Sequence, residues 1–194
     1  MILEAIVTTL NEDGSVNIAP MGPHVECPEL SRFRLKPFNT STTFSNLKRK
    51  GEGVLHITDD VLLISKAVIG ELDSSSVPTV ASSSVQGFRI ADACRWFEFR
   101  VEQFDDSQER ADLLCETVDS GNERPFWGFN RAKHAVLEGA ILASRVSFLP
   151  IEEIQSQFDA LKIIVQKTGG DQEHEAFDIL QAFVTRNSAA KTGS

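Results

Sequence analysis

Glu4-Ala-Ile-Val-Thr-Thr-Leu-Asn-Glu-Asp-Gly-Ser-Val-Asn-Ile-Ala-Pro-Met-Gly22 holds two apolar, β-branched runs on either side of Asn11-Glu-Asp-Gly14. β-Branched side chains suit a pleated surface and an Asp-Gly step supplies a tight turn. The stretch therefore predicts a hairpin of Ile2–Leu10 and Ser15–Val25. Pro20 and Gly22 in the returning arm mark either an edge strand or bulge with unpaired backbone groups that can meet a ligand, or a plain bend at a barrel corner.

Working outward, Leu30–Pro37 alternates Arg32, Arg34 and Lys36 against Phe33 and Leu35, which predicts a strand with a basic face. Gly53–Thr58 predicts another. Cys94–Phe104 sets Trp96, Glu98, Arg100 and Glu102 against Phe97, Phe99, Val101 and Gln103. Two helices, Thr43–Lys50 and Val61–Ile69, are expected between strands, and a third at Gln108–Asp119, with Ala111, Leu114, Cys115 and Val118 on one side. Ser74–Ser84, rich in serine around Pro78, reads as an excursion over the surface. Beyond Pro125 the pattern turns helical: Asn130–Val146, a helix with Pro150 at its first position closed by Gly169-Gly170, and one from Asp171 that frays at Asn187–Ser194. A β-rich module over 1–125 and a helical bundle over 126–194 follow, an α+β chain.

With 194 residues, 41% apolar and 24% charged, the chain can bury a proper core without staples. Nineteen basic against 28 acidic residues give a formal net charge of −9, which excludes binding to nucleic acid or to an anionic membrane by charge neutralisation. The start has no basic region ahead of its apolar residues, so no secretory leader is expected, and Glu138 interrupts the apolar run of Ala135–Ala143. Cys27, Cys94 and Cys115 are odd in number and widely spaced, which fits a reducing cytoplasm. His24, His56, His134 and His174 never fall at metal-ligand spacing, so no metal is expected.

The chemistry concentrates in Pro37-Phe-Asn-Thr-Ser-Thr-Thr-Phe-Ser-Asn-Leu47. Thr40 to Thr43 stand where a strand gives way to a helix, and a helix N-terminus offers unpaired N–H groups to a phosphate. Lys36 and Arg34 are near in sequence to supply charge. The same hydroxyls could simply cap the helix. Arg131, Glu138 and Arg145 recur every seven residues and share one face of a helix otherwise lined with small and apolar residues. That face meets a partner charge, another subunit, a ligand or solvent.

The stretch from Glu4 to Gly22, then Ser41-Thr-Thr-Phe-Ser-Asn-Leu47 with Gly51-Glu-Gly-Val54, and Asn130-Arg131 with Lys167-Thr-Gly-Gly170 resemble, in this order, an uncharacterised flavin-reductase-like family of the FMN-binding split-barrel superfamily. The resemblance implies a six-stranded antiparallel Greek-key split barrel followed by a helical C-terminal part, a homodimer, and FMN held at the subunit interface. It places the flavin ring along Asn17, Ala19, Pro20, Met21 and Gly22, and the phosphate end at Ser41, Thr43 and Asn46, with Arg131 closing the site or facing substrate; Thr42 and Lys36, beside that end, complete the candidate cofactor-binding residues. In that family an arginine is common at the position of Thr42 and an asparagine at that of His56. The implied activity is reduction of a small molecule; the alternatives are a non-catalytic carrier of FMN or a pterin-type cofactor, or an interaction protein that docks a partner on the Arg131–Arg145 helix. No catalytic acid is nominated.

Overall fold

The computed structural model describes residues 1–192, with side chains as far as Ser188. Its strands are β1 (Ala5–Leu10), β2 (Val16–Met21), β3 (His24–Val25), β4 (Arg32–Leu35), β5 (Glu52–Ile57), β6 (Thr79–Ala81), β7 (Phe88–Ile90), β8 (Arg95–Asp105) and β9 (Asp112–Asn122). Helices are α1 (Thr42–Lys50), α2 (Val61–Val68), α3 (Arg131–Ser144), α4 (Ile151–Thr168) and α5 (Asp171–Thr192). Two compact units result: Met1–Thr58 with Asp73–Phe126, and Asp59–Leu72 with Trp127–Ser194.

The first unit is a curled antiparallel sheet in the order β2-β1-β5-β8-β9-β4-β3. Its far end returns to the chain start, because Ile2 bridges His24 and Val25 N–H donates to Met1 O at 2.8 Å. Seven strands thus stand where the family pattern implied six, with β6 and β7 as a separate pair. Alternation fills the interior: Phe33 and Leu35 from β4, Phe97 and Phe99 from β8, and Leu113 and Cys115 from β9 are all buried. Phe33 and Phe99 meet edge to face at 5.3 Å.

The segment expected to be a helix at Gln108–Asp119 is strand β9. Ala111, Leu113 and Cys115 face inward and pairing with both β4 and β8 fixes it, so a period of two overrides the helical reading of a short apolar run. The serine-rich stretch is also more than a solvated excursion. Ser83 and Ser84 N–H donate to the carboxylate of Glu98 at 3.0 and 2.6 Å, which buries that glutamate on the outer face of β8. This cover is why Trp96, Phe97, Glu98 and Phe99 are consecutively buried although the sequence alternates.

Trp96 lies between the Arg89 guanidinium, 4.1 Å from its ring, and the backbone of Gly121. A Cβ on Gly121 would stand 2.6 Å from Trp96 Cζ2, so Gly121→Ala must displace the indole from both neighbours. We expect a loss of about 2 kcal/mol in urea unfolding, in the range of overpacked cores; an unchanged midpoint would refute the clamp.

In the helical unit, Val136, Ala140, Ile154, Phe158, Phe177 and Leu180 form one core, joined by Val61 and Ile69. That packing explains why Asp59–Leu72, inside the β-rich stretch of the sequence, belongs with the later helices. Asn130 caps α3, its Oδ1 accepting from Ala132 and Lys133 N–H at 2.7 and 3.2 Å. Pro150 is the N-cap of α4 rather than its first helical residue. Instead of fraying at Asn187, α5 continues to Thr192, and Asn187 Nδ2 donates to Phe183 O at 2.9 Å; Gly193 and Ser194 lie outside the described residues. Among the described residues no helix is long and apolar enough to cross a membrane, and no disulfide forms.

Candidate functional site

The two stretches singled out in the sequence meet in space. Asn17 on β2 donates from Nδ2 to Thr43 Oγ1 at 3.0 Å and to Thr9 Oγ1 at 3.2 Å. Asn46, one helical turn on, donates from Nδ2 to Thr9 Oγ1 at 3.1 Å and to Asn11 Oδ1 at 2.9 Å. A buried polar network therefore fixes the first turn of α1 against the β1–β2 hairpin. Each donor finds an oxygen, so burial carries no unsatisfied amide.

The network decides which groups remain for a ligand. Thr43 and Asn46 are buried and engaged. Ser41 is the N-cap of α1: its Oγ accepts from Phe44 N–H at 3.1 Å and donates to Phe38 O at 2.8 Å. These three side chains build the helix start. What faces outward is the exposed pair Thr40 and Thr42, at a helix start whose first N–H groups, those of Thr42 and Thr43, have no intrahelical partners. Lys48, Arg49 and Lys50 close the helix, complementing its dipole, and Gly51, at φ 66°, returns its N–H to Leu47 O.

β2 is an edge strand, so alternate backbone groups from Asn17 to Met21 lack a neighbouring strand on one side. Ile18 is buried, whereas Asn17, Ala19, Pro20, Met21 and Gly22 are half-buried. Gly22 makes a close approach: a Cβ there would meet Ile2 Cγ2 at 3.0 Å.

The cations differ from expectation. Arg34 donates to Asp112 at 2.7 Å and Lys36 stands 3.5 Å from the same carboxylate. Partial burial raises the Asp112 carboxyl, but these two cations outweigh it and hold it below the usual range. Arg110 is the residue missed in the sequence: its guanidinium lies 3.8 Å over the ring of Phe38, at the turn that Ser41 caps, and it donates to Lys36 O at 3.1 Å. Among the described residues Arg110 has no carboxylate partner. Only a strand at β9 brings Arg110 beside that turn, so the helical reading concealed it.

His56 is buried on β5. Its Nε2 accepts from Ile90 N–H at 3.0 Å and its Nδ1 faces Ile6 O at 3.4 Å, the pattern of a neutral ring. Burial, with the charge of Arg89, pushes its pKa down to about 3, against a smaller upward effect of Ile6 O. Burial pushes the Cys115 thiol upward, so it is not a nucleophile. Arg131 opens α3 in the helical unit and is exposed, as are Glu138 and Arg145. Among the described residues no cluster of three metal-ligating side chains occurs.

An open antiparallel barrel with a helix N-terminus pinned to its edge strand defines the class: a split-barrel protein joined to a helical unit. Two family models match, described as protein of unknown function (DUF447) N-terminal domain over residues 3–124 and protein of unknown function (DUF447) over 130–182. The chain belongs to this family. Among solved structures it is similar to an FMN-bound DUF447 protein from Methanosarcina mazei, at 20% identity over 94% of each chain with a TM-score of 0.80. It is also similar to nitrilotriacetate monooxygenase component B from Bacillus cereus, at 19% identity, covering 64% of this chain and 69% of that one, TM-score 0.54. A third likeness is to an FMN-binding protein from Thermus thermophilus, at 15% identity, covering 62% and 70%, TM-score 0.51. These likenesses establish the flavin-reductase-like fold. No curated protein matches the chain.

Proposed function

We propose that this protein binds FMN non-covalently in the 1–125 stretch, with the ring along Asn17–Gly22 and the phosphate at the start of α1. The observation that carries the reading is the Asn17–Thr43 hydrogen bond, which locks an edge strand beside a helix N-terminus. A planar, hydrogen-bonding ring suits the first and a phosphate the second. Thr42, with the N–H groups of Thr42 and Thr43, would hold the phosphate. Arg110 would take the place of the guanidinium that the family pattern puts at Thr42, and Lys36 stands nearby. Ser41, Thr43 and Asn46 contribute by shaping the cradle. The FMN-bound relative and the FMN-binding protein from Thermus thermophilus support this reading.

When bound, FMN supplies hydride and electron chemistry, while the chain positions it. The reading extends to a homodimeric, cytoplasmic reductase of a small molecule, with a second copy covering the ring. The purified protein is expected to be yellow, absorbing near ~450 nm, as bound oxidised flavin does. Arg110→Gln should weaken FMN binding by about 1.5–3 kcal/mol, the range of a hydrogen bond to a charged group, and leave riboflavin affinity unchanged. A colourless protein that ignores added FMN would sink the proposal. Bleaching by NADH or NADPH without oxygen marks a reductase; persistent oxidised colour marks a carrier.

A further inference from the structure

A second cavity lies on the first unit, away from the stretch assigned to the flavin. It has a volume of about 350 Å³ and sits at the barrel mouth, where β5 ends, β8 begins and β9 runs out. Ile57, Pro125 and Phe126 give it apolar walls, and the Phe126 ring is half exposed. Ile57 pairs with Arg95, and Arg95 with Asn122, so one row across the sheet forms the rim.

Arg95 is its one cation without an ion pair among the described residues. It points along the inner face of β8, its guanidinium 4.9 Å from the ring of Phe97. The other charged lining groups have partners. Arg124 donates to Asp92 Oδ1 at 3.0 Å and to Cys94 Sγ at 3.2 Å. Glu123 stands 3.7 Å from Arg89. The cavity thus combines a hydrocarbon wall, an aromatic face and one uncommitted guanidinium in a chain of net charge −9.

We infer that this cavity is a binding site for a single-ring aromatic carboxylate. The carboxylate would pair with Arg95, whose planar fork matches two oxygens, and the ring would lie against Phe126 and Ile57. Mouths of β-barrels are common ligand positions, and this volume is within the range of small-molecule pockets. None of the residues used belongs to the proposed flavin stretch, so the inference stands apart from it. The strand pairings carry the sheet from the β2–β1 pair through β5 to β8, so Arg95 is three strands from β2, about 14 Å along the sheet at ordinary strand spacing.

The test uses benzoate as the probe, on the full chain, with and without FMN. Calorimetry should show benzoate binding, and amide shifts should appear at Ile57, Arg95 and Asn122. Arg95→Gln should weaken binding about tenfold or more, Arg95→Lys, which keeps the charge but loses the planar fork, should fall between the two, and neither should change FMN affinity. Benzyl alcohol, of similar shape and no charge, should bind far more weakly. Failure of benzoate to bind, equal binding of benzyl alcohol, or an unchanged affinity in Arg95→Gln would each overturn the site. Loss of FMN binding in the wild type would remove the flavin reading and leave this one intact.

Discussion

Lys133→Met is expected to lower stability by about 3 kcal/mol at pH 7, the lower end of the cost of breaking a buried ion pair. Lys133 Nζ stands 2.9 Å from Glu173 Oε1, and their side chains are 18% and 9% exposed. The same ammonium donates to Asp59 O at 2.7 Å and to Gln172 Oε1 at 3.1 Å. Glu173 in turn accepts from Gly170 N–H at 2.8 Å, closing the start of α5. Methionine fills the stem's volume but leaves a carboxylate and a carbonyl without their cation. Burial raises the Glu173 carboxyl, yet Lys133 and the Gly170 N–H outweigh it and hold it below its ordinary 4.5. A depressed carboxyl adds stability above that value and surrenders it as pH falls through the folded pKa. The gap between wild type and Lys133→Met should therefore narrow in acid. Adding Glu173→Leu should recover much of the loss, since an apolar pair no longer buries an unpaired charge. Urea midpoints of the single and double variants at pH 7 and pH 4 check both statements; two equal single and double losses would show that the pair is not the cause.

The strands with strong alternation were legible because a barrel buries one side of them. Phe33 and Leu35 face in while Arg32 and Arg34 face out, as the period of two requires. β9 was not legible by the same rule, because Leu113, Leu114 and Cys115 form a short apolar run that satisfies either period. Pairing with β4 and β8, set by residues far away in sequence, decided it. The misreading carried over to the site, since Arg110 beside Phe38 depends on where β9 begins.

The helix start was legible as a position and only partly as chemistry. Four hydroxyls between a strand and a helix announce a cap or an anion site, and sequence alone leaves both open. The structure divides the labour: Ser41 caps, Thr43 is tied to Asn17, and Thr42 faces outward. The Asn17–Thr43 contact joins positions 26 apart and has no periodic signal. Arg34 and Lys36 looked available because their common partner Asp112 lies on β9.

The second large effect concerns His56, at the position where the resemblance implies asparagine. Its ring is neutral because Nε2 must accept from Ile90 N–H, while Nδ1 is left to donate to Ile6 O. With burial the pKa falls to about 3 from 6.5, so on acidification the unfolded chain takes up a proton that the folded chain refuses. Stability tied to His56 is thus complete above pH 6.5 and declines as pH falls toward 3. Between pH 7 and pH 5 the linkage amounts to about 2 kcal/mol. His56→Asn should remove that share of the pH dependence, whatever constant offset its smaller volume brings. Depressed carboxylates such as Asp112 give up their contribution in a lower window, below their ordinary 3.8, and do not mask it. Trp127→Phe is a suitable background, because Trp127 is 86% exposed and its removal leaves Trp96, paired with His56 in register, as the reporter. Equal loss of stability between pH 7 and pH 5 in His56→Asn and its parent would mean that another group carries the titration.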